Sequence, residues 1–282
     1  AADGALGIPS DQRLKLFIST PFRSWGGPKA FPNAVFGAGD ATKAAYVRAL
    51  VDEIESASQG MDGMVVNEVE FGGGPASSLT SGQLSQVMRA VRKCYRLAPN
   101  VVVRLRDVPG GVTVDFAGFC KNAGADWVEL EVLSTDVSSL KSMGLPPSLS
   151  STVNCFQVVY FAGAPALGIL LDGSYDSNLQ AFRRSVIEAL ARSPLFVRAV
   201  HLDDGQRASL GELCEARGLQ SFGDGLWGRP EFTGSPPVAA NQLGFGLGAE
   251  SAFDGIRFKT TSDLGLYCAQ STDFGAIATR VE

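Results

Sequence analysis

Residues 64–84 read MVVNEVEFGGGPASSLTSGQL, and this stretch decides the fold. Residues 64–71 are apolar and β-prone and stop at three consecutive glycines, as a strand ending in a tight turn does. A helix over residues 79–97 follows, with Thr80 or Ser81 placed to cap its start. The same unit recurs on either side. Residues 14–19 (LKLFIS) are a strand ending at a Pro-Phe turn, and 42–56 carry Ala45, Val47, Leu50, Val51 and Ile54 at helical spacing. Downstream, strands are expected at 101–105, 127–132, 156–161, 168–171 and 196–201, with helices at 116–123, 137–143 and 178–192. Strands separated by helices at this interval indicate parallel βα units, hence an α/β barrel or a doubly wound sheet. After Asp203 the regularity weakens, and the Gly- and Pro-rich residues 223–242 read as a long irregular segment.

Composition narrows the function. The 282 residues are 45% hydrophobic and 19% charged, enough for a sizeable core. A formal net charge of −5 without a basic run argues against nucleic acid, whose phosphates demand clustered Lys and Arg. The longest apolar runs are too short to span a bilayer, and no basic-then-apolar leader opens the chain. The five cysteines (94, 120, 155, 214, 268) lie at least 26 residues apart. Structural zinc and iron–sulfur sites draw at least two ligands from one tight loop, so scattered thiols argue against both. An odd, dispersed set fits no disulfide framework and points to an intracellular reducing compartment, cytoplasm or organelle matrix.

Three ordered stretches carry a resemblance. Residues 17–23 (FISTPFR), 70–84 (EFGGGPASSLTSGQL) and 243–267 (LGFGLGAESAFDGIRFKTTSDLGLY) are similar to the IPFC turn, the FGGGTPSLLSPEQL run and the GLGAGAHS-to-DL-to-Y segment of one family. That family is the oxygen-independent coproporphyrinogen III oxidases and their heme-chaperone relatives, which are radical S-adenosylmethionine (SAM) proteins. Residues 171–190 resemble the family's YGLPGQT-and-helix unit more weakly. The resemblance implies a partial (β/α)6 TIM-like barrel over 14–203, preceded by an extension at 1–13 and followed by a family segment at 204–282 that packs on the barrel.

It also implies a loss. The family holds its four-iron cluster with CxxxCxxC, and the corresponding positions here are Arg23, Gly27 and Ala30. None is a thiolate, so no cluster and no reductive cleavage of SAM are expected. The glycines that approach SAM survive as Gly72, Gly73 and Gly74, but Pro75 and Ala76 replace the Thr-Pro pair. Arg104, with Arg106 two residues on, stands where the family places an acid for the SAM ammonium, and YGLPGQT has become LDGSYDSN. No cofactor is expected.

His201 is the single histidine, at a strand end before Asp203 and Asp204; such a pair can move protons, although a capping or packing role is commoner. Arg104 and Arg106 share a strand face, where they either hold a carboxylate or phosphate or pair with Glu129 and Glu131 on the next strand; pairing is the cheaper arrangement. Glu68 and Glu70 alternate likewise, a spacing that suits acid–base work. The GFGLG run at 244–248 lacks dinucleotide-loop spacing. Trp25 and Phe31, in the loop that replaces the cluster motif, would plug the vacated site or face a partner. The leading expectation is a pseudoenzyme retained as a scaffold or accessory subunit among other protein subunits. The alternative is a cluster-independent enzyme or binding protein for an anionic small molecule or tetrapyrrole, with Gly72, Gly73, Gly74, Arg104, Arg106 and His201 as ligand-binding candidates.

Overall fold

The computed structural model describes residues 9–24, 31, 33–142, 144, 166–232 and 239–281. The expected strand at 156–161, Cys155, Trp25, Gly27 and Ala30 lie outside the described residues. The elements run β1 (Arg13–Ser19), β2 (Phe22–Arg23), β3 (Val35–Phe36), α1 (Asp40–Ala57), β4 (Val65–Gly72), α2 (Ser81–Cys94), β5 (Leu97–Asp107), α3 (Val114–Ala123), β6 (Trp127–Leu133) and α4 (Val137–Ser142). They continue with β7 (Ala166–Asp172), α5 (Leu179–Leu190), β8 (Phe196–Val200), α6 (Asp204–Glu215), β9 (Gln220–Ser221), β10 (Leu226–Gly228), β11 (Asn241–Phe245), β12 (Glu250–Phe253), β13 (Ile256–Thr260), α7 (Leu264–Gln270), α8 (Phe274–Ile277) and β14 (Ala278–Val281). Among the described residues no helix is long and apolar enough to cross a membrane.

The chain divides into two compact units. The first comprises residues 1–24, 33–105 and 236–282. Its strands lie in the order β14-β13-β12-β11-β1-β4-β5. β1 pairs in parallel with β4 and with β11, and β4 in parallel with β5, whereas β12, β13 and β14 form an antiparallel meander. Residues 241–281, far in sequence from β1, thus complete its sheet. On β1 the fully buried Leu14, Leu16 and Ile18 alternate with Lys15 and Phe17, the period of a strand with two different faces.

Helix α2 shows why the expected range of 79–97 was too long. Its start is a capping box: Thr80 accepts from the Gln83 amide at 3.2 Å, and the Gln83 side chain accepts from the Thr80 amide at 2.9 Å. Its end is set by the sheet. The Val66 amide donates to the Arg96 carbonyl and Leu97 enters the β4 register, so Tyr95 is already extended.

The second unit comprises residues 25–32 and 106–235. β6, β7 and β8 are parallel, and β10 and β9 add antiparallel at the β8 edge. Trp127, Phe196 and Phe232 form an aromatic cluster with centroids 4.8–5.9 Å apart, and the Phe196 ring occupies the space a side chain at position 168 would need. Beyond Asp203, where the sequence pattern weakens, the described residues still form regular elements. Asp203 and Gln206 form a second capping box for α6, with the Gln206 amide donating to Asp203 at 2.8 Å, and β10 and the start of β11 fall inside the stretch read as irregular. β10 and β11 are three and five residues long, too short for a strand period to show in the sequence.

Two substitutions probe this account by urea unfolding. Phe232→Ala is expected to lose about 3–5 kcal/mol by opening a cavity beside Trp127 and Phe196. Thr80→Ala should lose about 1 kcal/mol through the cap. An equal small loss for both would mean that the aromatic cluster is not the core of its unit.

Candidate functional site

In α/β folds of this kind ligands meet the carboxyl ends of the strands. In the first unit that end is the turn after β4. The Thr20 amide donates to the Gly72 carbonyl at 2.7 Å, and its hydroxyl reaches the Gly72 and Gly74 carbonyls at 3.0 and 2.8 Å. A Cβ on Gly74 would enter the Thr20 carbonyl. Gly74 is therefore required by the chain's own packing against the β1–β2 turn, and Gly73 by its φ of +80°, whatever else the glycines touch. Arg23, on β2 opposite Phe36, is buried.

Below this turn the strand face is ionic. In register, Lys15 lies opposite Glu68 and Glu70 opposite Arg104. Lys15 Nζ reaches Glu70 at 2.6 Å and Glu68 at 3.3 Å; Arg104 Nη2 reaches Glu70 at 2.8 Å and also contacts Glu68. The two carboxylates thus sit between two cations, with side chains only 10% and 12% exposed. Arg104 was expected to turn toward β6; in this unit it is bound by β4. The parallel register of β4 and β5 sets Glu70 directly opposite Arg104, a relation invisible without the strand pairing.

The second unit repeats the device. Glu129 accepts from Arg106 Nε at 3.2 Å and from Arg198 Nε at 2.8 Å, through different oxygens. The expected pairing of Arg106 with Glu129 is present, and Arg198, two residues beyond Phe196 on the same strand face, was not anticipated.

His201 pairs across strand ends with Asp172, Nδ1 to Oδ2 at 2.9 Å, and not with Asp203 or Asp204. Asp203 is committed to capping α6. The other Asp172 oxygen accepts from the Ser174 amide at 3.0 Å and its hydroxyl at 2.6 Å, so the carboxylate is fixed before it meets the ring. His201 has φ of +50°, uncommon for a residue other than glycine, while its imidazole remains 71% exposed. Phe31 packs against Leu133 and Leu140 within this unit.

Among the described residues the thiols are not arranged as an iron–sulfur cluster would need them. Arg23, where the resemblance would place the first cluster ligand, is a buried guanidinium, and the described cysteines lie on four separate helices, α2, α3, α6 and α7. Burial pushes the Cys120 and Cys214 thiols up to about 12 and raises Cys268, which opposes the thiolate that iron requires. Among the described residues no three His, Cys, Asp or Glu side chains are grouped to hold a metal ion.

Two measurements test the geometry. Glu129→Gln should lower stability by roughly 2–3 kcal/mol, below the full value for a buried pair because both arginines are partly hydrated; no change would show the pair to be incidental. Since His201 is the single histidine, its 15N resonances are unambiguous. The neutral ring should carry its proton on Nδ1, and Asp172→Asn should abolish that preference.

No family model matches this sequence, and no curated protein matches it. Among solved structures the chain is similar to coproporphyrinogen III oxidase (HemN) from Escherichia coli, described as a radical SAM enzyme, with a TM-score of 0.80 at 16% identity over 98% of this chain and 73% of that one. It is also similar to native anSMEcpe with bound AdoMet and a Cp18Cys peptide, with a TM-score of 0.50 at 12% identity over 72% of this chain and 59% of that one. At such identities the likeness concerns architecture alone, and it is specific: the chain has the mixed α/β, TIM-barrel-type fold of the radical SAM enzymes.

Proposed function

We infer that the chain is a radical-SAM-like pseudoenzyme without an iron–sulfur cluster, acting as a scaffold or accessory subunit of a larger protein assembly in an intracellular reducing compartment. The observation that carries this reading is Arg23, a buried cation where the resembling family has its first cluster cysteine. The four described thiols lie on separate helices, and burial holds those of Cys120 and Cys214 protonated. The strand-face arginines 104, 106 and 198 are engaged by carboxylates of the chain itself, which supports a structural use of the face that in an enzyme would meet substrate. Loss of a site with retention of a fold is physically unremarkable, because the residues that build the sheet are not those that do the chemistry.

A second reading has one observation in its favour. The Asp172–His201 pair presents an accessible imidazole at the strand ends, which suits a cluster-independent enzyme or a binding protein for an anionic small molecule or tetrapyrrole.

Native mass spectrometry of the protein purified anaerobically from its own source separates the two. The first reading expects association with other subunits and no added iron, sulfide or small-molecule mass. A chain that arrives alone with a ligand favours the second. Anaerobic reconstitution with iron and sulfide should leave the visible spectrum flat and yield no 5′-deoxyadenosine from SAM; a four-iron cluster that cleaves SAM would overturn the first reading outright.

A further inference from the structure

Glu53 lies on the inner side of α1 and is 2% exposed. Its Oε2 accepts two hydrogen bonds from the C-terminal part of the chain: the Tyr267 hydroxyl of α7 at 2.6 Å and the Gly246 amide, in the β11–β12 turn, at 2.8 Å. Beside it the Tyr46 hydroxyl donates to the Ser19 carbonyl at 2.7 Å, and the Ser19 hydroxyl donates to the Leu247 carbonyl at 2.9 Å. The Tyr46 and Tyr267 rings stand 5.4 Å apart. Gly246 has φ of +94°, and a Cβ there would run into the Tyr46 hydroxyl, so the turn approaches α1 as closely as backbone can. All of these groups belong to the first unit.

We propose that Glu53, Tyr267 and the Gly246 amide form a proton-operated latch that fastens residues 241–270 to α1 and, through Tyr46 and Ser19, to the base of the Gly72–Gly74 turn. The inference is independent of the pseudoenzyme reading, since it concerns how the C-terminal part of the chain is held.

The physical argument weighs burial against hydrogen bonding. Desolvation favours the neutral carboxyl, while both donors favour the carboxylate; burial wins, raising Glu53 from the ordinary 4.5 to about 7. The titratable neighbours do not offset it. Tyr46 on α1, Tyr95 beside α2, and Tyr267 with Cys268 on α7 are all raised, chiefly by burial, and stay neutral near pH 7. Arg48 of α1 acts on Cys268. The β11–β12 turn contributes the Gly246 amide.

The sign follows from linkage. A carboxyl whose value is higher in the closed state than in water binds its proton more tightly there. The stability it adds is full below pH 4.5 and is lost as pH rises through about 7. The latch is shut in acid and loosens above neutrality.

Hydrogen exchange on the full chain reads this directly. After correction for intrinsic base catalysis, opening of the amides of Gly246, Leu247 and α7 should rise about thirtyfold between roughly pH 5.5 and 8. Glu53→Gln mimics the protonated acid and keeps an acceptor for both donors, so its opening should vary less than about threefold over that range. Should that variant not fold, Tyr267→Phe decides: removing a donor that favours the carboxylate must shift the midpoint of the wild-type transition upward. Flat wild-type exchange, an undiminished transition in Glu53→Gln, or an unmoved midpoint in Tyr267→Phe would each overturn the proposal.

Discussion

Glu68 and Glu70 project from one face of β4 with about a tenth of their side-chain surface in water, and carboxylates so placed must find cations. Lys15 from β1 and Arg104 from β5 supply them, so three neighbouring strands are tied by charge as well as by backbone. Alternation decides which residues take part: the same strands put Leu14, Leu16 and Ile18 or Val69 and Phe71 on the other side. In the second unit Glu129 performs the same service for Arg106 and Arg198. Such layers add little net stability over apolar packing, but removing one member leaves a poorly hydrated charge, so the set persists as a set.

That constraint bears on what the fold can host. A face lined by charges already engaged with one another offers a weaker grip to a charged cofactor than one holding them unengaged. The turn after β4 tells a similar story. Its glycines resemble those of a SAM loop, yet Thr20 spans two of their carbonyls, and the third glycine has no room for a Cβ against the preceding turn. A glycine run that persists for packing reasons is indistinguishable in sequence from one that persists for a ligand.

The strand ends of β7 and β8 carry a pairing of a different kind. Asp172 is oriented by Ser174 and holds His201, whose backbone takes a left-handed conformation to bring the ring there. The sequence pointed instead to Asp203 and Asp204, two and three residues away, because proximity in the chain is visible and proximity across strands is not.

By itself the sequence determined the alternation of strands and helices, a helix cap at Thr80 or Ser81, and an arginine in place of a thiol at position 23. These depend on local chemistry: periodicity, a side-chain oxygen three residues from an amide, the identity of a ligand atom. Tertiary structure alone decided that Arg104 meets β4, that Arg198 shares Glu129, that β11 lies beside β1, and that Glu53 is roofed by Tyr267 and Gly246. Each of these joins residues 34 to 227 positions apart, through strand register and burial, which no local pattern encodes.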